Sequence, residues 1–280
     1  VDSTSSLWEE KVDISSFLQV SQLIQQVKPS QVYYLAAHHH SSENQLGDLN
    51  DLVKKSYKVN VFSYLNFLES IRKFSLDTKI FYAASSHIYG DPKDPLQDES
   101  TEFNPKSIYA ITKLDGLLLS RYHRENYSVF SSVGILYSHE SPYRGNSFVS
   151  KKIVETAVKI KKGLSSELVI GDINAQVDWG YAGDYVKAMM KILDHKKPDD
   201  FVIASGRKVK LKNFISIVFD YLGLEWKEFV RESPELLIRK TASSLCGNPG
   251  KLMDQTGWKP TVNLDELARL MVDYELEQVK

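Results

Sequence analysis

The chain has 280 residues, of which 42% are hydrophobic and 25% are charged, as is typical of a folded globular protein. Its formal net charge of −1 argues against a nucleic-acid-binding surface. No apolar run is long enough to span a membrane. The one cysteine, Cys246, excludes an intrachain disulfide and suits a reducing compartment, so we expect a cytoplasmic protein.

The first half of the sequence alternates apolar runs with amphipathic segments. A helix is predicted to begin after Ser15 or Ser16, and its apolar stripe consists of Leu18, Val20, Leu23 and Ile24. Continuous apolar runs at 31–37, 79–84 and 128–137 predict parallel strands that are buried on both faces. Helices are predicted between them, over about 52–74 and 107–127.

The second half is less regular. Helices are predicted over 148–163, 181–195 and 211–224 and from residue 264 onward, and short strands over 167–171 and 201–204. The alternation of strands and helices predicts an α/β fold, with a parallel sheet covered by helices on both faces and a smaller lobe in the second half.

Tyr109 and Lys113 are four residues apart on the predicted helix 107–127 and therefore share one face. A lysine ammonium beside a tyrosine favours the phenolate, and a hydroxyl at Ser85, where strand 79–84 ends, would hold a substrate oxygen. This set suits the exchange of a proton and a hydride between a secondary alcohol and a nicotinamide. The spacing by itself also fits a half-buried tyrosine beside a solvated lysine. Ser85 and Tyr109 follow the end of a predicted strand, where α/β folds place their active sites, and this favours the catalytic interpretation over the structural one.

Three consecutive histidines, His38 to His40, follow the predicted strand 31–37. Adjacent residues in a loop seldom converge on one ion, and no cluster of Cys, Asp or Glu supplies further ligands, so we predict no metal site. Pocket lining and a plain loop are the two remaining interpretations.

Several motifs resemble the extended short-chain dehydrogenases/reductases that act on nucleotide sugars. These are Ser85-Ser86-x-x-Tyr89-Gly90, Tyr109-x-x-x-Lys113, Leu35-Ala36-Ala37 and Asn60-Val61. Further segments are similar to the GDP-mannose 4,6-dehydratase branch of that family, namely 134–145, 146–153, 170–175, 178–186, 200–206, 247–251 and 257–260. The resemblance is collinear and extends from about residue 12 to the C-terminus.

The resemblance implies a Rossmann-type, doubly wound parallel sheet with a smaller C-terminal substrate lobe. Residues 1–140 would form the NADP-binding domain, and residues 141–280 would complete the sheet and form the nucleotide-sugar-binding lobe. Family members begin with a strand, a glycine-rich turn and a helix that cradle the cofactor pyrophosphate. No such glycine cluster precedes Gln31, so this N-terminal unit is expected to be missing from the chain as given.

The resemblance also implies roles for individual residues. Ser85 would bind the sugar O4, Tyr109 would take its proton, and Lys113 would lower the pKa of Tyr109 and bind the nicotinamide ribose. The cofactor would also be contacted by Leu35, Ala36, Ala37 and Asn60. The nucleotide-diphosphate sugar would be contacted by Ser86, Ser138, Arg144, Lys152, Arg207 and Arg239. Arg144 and Arg239 match arginines of the family and are the leading candidates for phosphate contacts, with surface arginines as the alternative.

Three positions depart from the family pattern. His87 stands where the dehydratases have a glutamate that acts at C5 and O6. Ser138 replaces an asparagine, and Val177 replaces an arginine that helps to bind the diphosphate. His87 is interpreted in three ways, as the C5 base of an unusual dehydratase, as the base of an epimerase, or as a polar pocket residue.

The function implied by the resemblance is that of an NADP-dependent 4,6-dehydratase acting on a GDP-sugar, of the GDP-mannose or GDP-manno-heptose type, in polysaccharide biosynthesis. The alternatives are a 4-keto-sugar epimerase or reductase and a non-catalytic nucleotide-sugar-binding protein. The family usually dimerises through helices equivalent to 52–74 and 107–127, which implies a homodimer or homotetramer.

Overall fold

The computed structural model describes residues 11–39, 48–233, 235 and 245–279. A π-helical turn, Lys58–Phe62, joins the second helix to the third, and a 3-10 turn, Ser86–Tyr89, follows the second strand. The first half contains, in chain order, α1 (Phe17–Val27), β1 (Gln31–Tyr34), α2 (Leu49–Tyr57), α3 (Ser63–Phe74), β2 (Lys79–Ser85), α4 (Ile108–Tyr127) and β3 (Ser131–Leu136).

The elements of the second half are shorter. They are β4 (Ser138–Glu140), α5 (Val149–Lys161), β5 (Leu168–Ile170), β6 (Gln176–Val177), β7 (Trp179–Tyr181), α6 (Ala182–Asp194), β8 (Asp200–Ile203), β9 (Val209–Lys210), α7 (Leu211–Tyr221), α8 (Trp226–Phe229), β10 (Val230–Glu232), α9 (Gly250–Thr256) and α10 (Leu264–Gln278). The predicted longer elements are confirmed with shifted ends. The predicted long helix over 52–74 is confirmed as an unbroken helical run from Leu49 to Phe74, in which Lys58–Phe62 form a π turn between α2 and α3.

The central sheet has four parallel strands in the order β1-β2-β3-β8. Alternate residues of β2 face opposite sides, with Ile80 and Tyr82 in one core cluster and Phe81 in another. Helices α1, α3 and α4 cover the first side, and α6 and α9 cover the second. The predicted Rossmann-type, doubly wound sheet is therefore confirmed, and β8 completes it from the second half of the chain.

The start of α1 follows its predicted cap. The Ser16 hydroxyl accepts a hydrogen bond from the Gln19 backbone N–H, which satisfies one free donor of the first turn. Val20 and Ile24 are buried as predicted, but Leu18 is 65% exposed, so its assignment to the apolar stripe is wrong.

Helix α4 lies close against β2 because Gly116 has no side chain. A Cβ there would lie 2.1 Å from the hydroxyl oxygen of Tyr82, so a larger residue would push the helix off the sheet. This close contact fixes the N-terminal turn of α4 relative to the carboxyl end of β2.

A second core lies among α5, α7 and α10, with β5 and Trp179 of β7 packed into it. A buried ion pair between Lys151 of α5 and Glu275 of α10 joins two of these helices. The boundary between residues 1–140 and 141–280 stays a prediction. Among the described helices, none combines the length and apolar character needed to cross a membrane.

Candidate active site

Ser85 is the last residue of β2, and its side chain faces the start of α4. Its hydroxyl oxygen accepts a hydrogen bond of 3.3 Å from the His87 backbone N–H, which anchors the 3-10 turn to the strand end. The same hydroxyl lies close enough to the Tyr109 phenol to favour its ionised form. Carboxyl ends of parallel strands are where α/β folds bind ligands, and β2 thus places a serine and a tyrosine together at this edge.

Tyr109 lies in the first turn of α4, which Ser107 caps by accepting a 3.1 Å hydrogen bond from the Ala110 N–H. Burial raises the pKa of Tyr109 above its ordinary value, and the nearby Ser85 hydroxyl and the charge of Arg144 offset this only in part. Desolvation outweighs the favourable contacts in the ligand-free site, so a lowering of the Tyr109 pKa by Lys113 stays a prediction for the cofactor-bound protein.

Lys113 is hydrogen-bonded to the neighbouring strand. Its ammonium donates a 2.7 Å hydrogen bond to the Ala83 carbonyl oxygen and lies 5.8 Å from the centre of the Tyr109 ring. The side chain is buried, and burial lowers its pKa to about 7. Lys113 shares the helix face of Tyr109 as predicted, but its charged end is directed into the sheet.

His87 lies in the 3-10 turn after β2. Its ring meets the Tyr109 ring edge-on, with 6.0 Å between centroids. The residue is exposed at the surface of the cleft, yet the protein around the imidazole desolvates it and lowers its pKa below the usual value. At neutral pH the ring is therefore uncharged and able to accept a proton.

The loop after β1 reaches the same place. Asn60, in the π turn, accepts a 2.7 Å hydrogen bond from the His38 N–H and donates a 3.3 Å bond to the His38 carbonyl oxygen. The adjacent His39 ring packs edge-on against Tyr109, with 4.8 Å between centroids. His40 lies outside the described residues, among which no group of three or more His, Cys, Asp or Glu side chains is arranged for a metal ion.

The predicted cofactor residues follow β1 directly. Leu35 is 51% exposed and Ala37 is exposed, whereas Ala36 packs against the core. Asn60 itself is fully buried and is engaged with His38 and with the Thr112 hydroxyl, 2.9 Å away. Asn60 therefore positions the loop. The residues after β1 are open to solvent, and the Lys113 ammonium nearby is bonded only to a carbonyl oxygen. This arrangement is suited to binding a nicotinamide ribose.

Arg144 lies beside the site on the segment between β4 and α5. Its guanidinium stacks on the Phe148 ring at 3.4 Å from the centroid, and its Nε atom lies 3.1 Å from a carboxylate oxygen of Glu140. Glu140 is buried and accepts a 2.6 Å hydrogen bond from the Ser150 hydroxyl. Arg144 is thus held in place without ligand, with its charge close enough to act on Tyr109.

The other predicted substrate residues are dispersed around this edge. Ser86 is buried in the 3-10 turn, Ser138 begins β4 two residues beyond β3, and the exposed Arg207 follows β8. Lys152 is partly exposed on α5, whereas the neighbouring Lys151 is paired with Glu275. Arg239 lies outside the described residues. Among the predicted catalytic and substrate residues that the structure describes, Ser85, His87, Tyr109 and Arg144 lie together in one cluster.

Sequence reasoning missed Phe148 and Glu140 as part of this cluster. Phe148 stacks on both Arg144 and His39, and Glu140 fixes the arginine. The only available signal was their proximity in sequence to Arg144, which does not predict an aromatic platform.

A parallel Rossmann-type sheet with Ser85, Tyr109 and Lys113 at its carboxyl edge defines a short-chain dehydrogenase/reductase. Residues 4–271 match the model of the family described as GDP-mannose 4,6 dehydratase. The chain belongs to this family. It is 35% identical over 272 residues to GDP-mannose 4,6 dehydratase 1 of Arabidopsis thaliana, covering 96% of this chain and 74% of that protein.

Two further comparisons agree with this assignment. The chain is 30% identical over 294 residues to GDP-mannose 4,6-dehydratase of Vibrio cholerae, covering 95% of this chain and 78% of that one. The structure of RMD from Pseudomonas aeruginosa complexed with NADPH has a TM-score of 0.86, at 22% identity, and covers 98% of this chain and 90% of that one. The structural likeness establishes the fold.

Proposed function

We propose that this protein is an NADP-dependent nucleotide-sugar 4,6-dehydratase acting on a GDP-sugar. The observation that carries the proposal is the meeting of Ser85, Tyr109 and His87 at the end of β2, in a chain of the GDP-mannose 4,6-dehydratase family. A hydroxyl, a phenol and a neutral imidazole supply a hydrogen-bond donor and two proton-transfer groups at one place.

Bound NADP supplies the acceptor and donor of the hydride. Leu35, Ala36 and Ala37 would border it, and Lys113 would turn from Ala83 to hold its ribose. Ser85 orients the sugar O4 while Tyr109 removes the O4 proton as hydride leaves C4. The resulting carbonyl makes the C5–H bond acidic, so His87 would remove that proton and transfer it to O6, which leaves as water. The hydride would then return to C6 and a proton would add to C5, so that no NADPH is consumed.

The diphosphate is assigned to cationic side chains around the cleft. Arg144 is the leading candidate because it is already held beside Tyr109 by Phe148 and Glu140, and guanidinium groups suit phosphate oxygens. Ser86, Ser138, Lys152, Arg207 and Arg239 are proposed as further substrate contacts. Lys151 is not proposed, because Glu275 already pairs with it.

We also propose a homodimer, a cytoplasmic location and a role in polysaccharide biosynthesis. The dimer is supported by exposed apolar side chains on the π turn and α4, where Phe62 is 57% exposed and Leu118 is 47% exposed. The single cysteine supports a reducing compartment.

The test is to incubate the protein with NADP and either GDP-mannose or GDP-manno-heptose and to follow the sugar nucleotide by mass spectrometry. A dehydratase releases one water without net consumption of NADPH. An epimerase leaves the mass unchanged, and a reductase consumes one NADPH for each turnover of a 4-keto substrate. Cofactor binding without turnover of any of these substrates would favour the non-catalytic alternative and contradict our proposal.

A further inference from the structure

The proposed reaction leaves a proton on Tyr109 that must be removed in every cycle. Tyr109 gains the O4 proton, and O4 ends as a carbonyl oxygen, so this proton does not return to O4. The C5 proton leaves with O6 as water, and C5 takes a new proton when hydride adds to C6. One proton must therefore leave Tyr109 and one must reach C5 before the site is reset.

We propose that His39 carries the proton from Tyr109 to bulk solvent, an inference that rests on the proposed dehydratase function. The Tyr109 hydroxyl loses its proton to the His39 imidazole directly or through one water, and the imidazolium releases it to solvent. His87, uncharged after it has protonated O6, takes up a solvent proton and delivers it to C5. The protons then balance, and no oxidant or reductant is needed.

The position of His39 suits this transfer. Its ring contacts Tyr109 at 4.8 Å between centroids and an interplanar angle of 86°, closer than the His87 ring at 6.0 Å. His39 is exposed, whereas Tyr109 is partly buried and desolvated. An imidazole spans the step from a buried hydroxyl to water, and imidazoles exchange protons readily at neutral pH.

His39 is held in this position from two directions. On one side Asn60 binds both the N–H and the carbonyl of His38 and also the Thr112 hydroxyl of α4, three residues from Tyr109. The loop and the helix are thereby fixed to each other. On the other side the Phe148 ring stacks with His39 at 5.9 Å and 25°.

The other groups around Tyr109 are less suited to the transfer. Lys113 is buried and is assigned to the cofactor ribose, so it does not open to solvent. The Ser85 hydroxyl is engaged with Tyr109 and His87 and is assigned to the sugar oxygen. The Arg144 guanidinium stacks on Phe148 and is assigned to the diphosphate.

The relay is tested by chemical rescue in full-length holoenzyme. His39→Ala and His39→Gln should lower kcat about tenfold or more, within the range for a lost proton-transfer group. Added imidazole should restore kcat of His39→Ala in proportion to its concentration. The first-turnover formation of NADPH should stay near the wild-type rate, because C4 oxidation precedes loss of the Tyr109 proton. His195→Ala, which removes a partly exposed histidine that follows α6, is the matched control.

The outcomes separate the two proposals. An unchanged kcat in both His39 variants overturns the relay, as does a loss that imidazole does not restore or that appears equally in the first turnover. Absence of dehydration by the wild-type protein overturns the proposed function and the relay with it. Tyr109→Leu supplies a readout apart from activity, because removal of the tyrosine ring should shift the NMR signals of the His39 ring protons, and an unshifted signal contradicts the contact.

Discussion

The ammonium of Lys113 donates its hydrogen bond to the Ala83 carbonyl oxygen and does not reach the Tyr109 hydroxyl on the same helix face. The buried ammonium of Lys113 is therefore bonded to a neutral carbonyl and not to a carboxylate. Burial of this kind disfavours the charged form, and it lowers the pKa of Lys113 to about 7. A residue proposed to bind the cofactor is accordingly a source of instability in the ligand-free protein.

Lys113→Met should make the ligand-free protein more stable to urea at pH 7, while abolishing turnover. The pKa of Lys113 is lower in the folded protein than in the unfolded chain, so below the unfolded pKa the burial of its charge lowers the free energy of unfolding of the wild type. This loss is largest below pH 7. The stability gained by the variant should therefore shrink as pH rises from 7 towards 10. Lys187→Met, at a lysine whose side chain is 64% exposed, should show little such pH dependence. A variant less stable than wild type at pH 7 would contradict the argument.

The pH dependence of turnover should reflect His87. Desolvation by the surrounding protein lowers its pKa, and the proposed role requires the neutral ring. The rate constant kcat should therefore fall at acidic pH, below about 6.5, the ordinary histidine pKa, and be constant above it. His87→Gln should lower kcat by about 100-fold or more and remove this fall at acidic pH. A near wild-type rate in His87→Gln would exclude His87 as the C5 base.

Much of the fold could be predicted from the sequence because its signals are local. The apolar run of β2 and the predicted start of the helix at 107 each reflect interactions within a few residues, and together they placed Ser85 and Tyr109 at one edge of the sheet. The helix period also placed Lys113 on the face of Tyr109. The period does not determine the side-chain rotamer, which here depends on a carbonyl of another element.

The parts that could not be predicted depend on distant contacts. Nothing in Lys58–Phe62 predicts a π turn, whose Asn60 contacts a loop 22 residues away and a helix 52 residues away. Strands of two or three residues, such as β6 and β9, are too short to show an alternating pattern. The stacking of Phe148 on Arg144 and His39 likewise depends on the folded arrangement of three segments.

Asp178 should be important for stability because its buried carboxylate joins three segments. It accepts hydrogen bonds from the Ser205 N–H and hydroxyl, at 2.9 and 2.6 Å, from the Gly206 N–H at 3.2 Å and from the Gly247 N–H at 3.1 Å. Asp178→Ala leaves these donors without their acceptor and should lower the free energy of unfolding by about 3–5 kcal/mol. Urea denaturation should show a lower midpoint, and Asp254→Ala, at an exposed position on α9, should change it little.

The proposed dimer should depend on a groove lined by Val61, Asp115, Leu118, Leu119 and Tyr122. Leu118 and Tyr122 are 47% and 50% exposed, and contiguous apolar exposure of this kind is typical of association surfaces. In a two-fold interface Leu118→Glu would place a second negative charge near Asp115 and bury it against the partner copy, which is unfavourable without a cation. We expect the dimer Kd to rise by roughly thirtyfold or more, corresponding to a hot-spot loss of about 2 kcal/mol.

Sedimentation velocity across a concentration series measures this shift. Leu164→Glu, at a 61% exposed leucine after α5, should leave it unchanged. A wild-type protein that sediments as a monomer at micromolar concentration would exclude the dimer, and equal weakening by both variants would place the interface elsewhere.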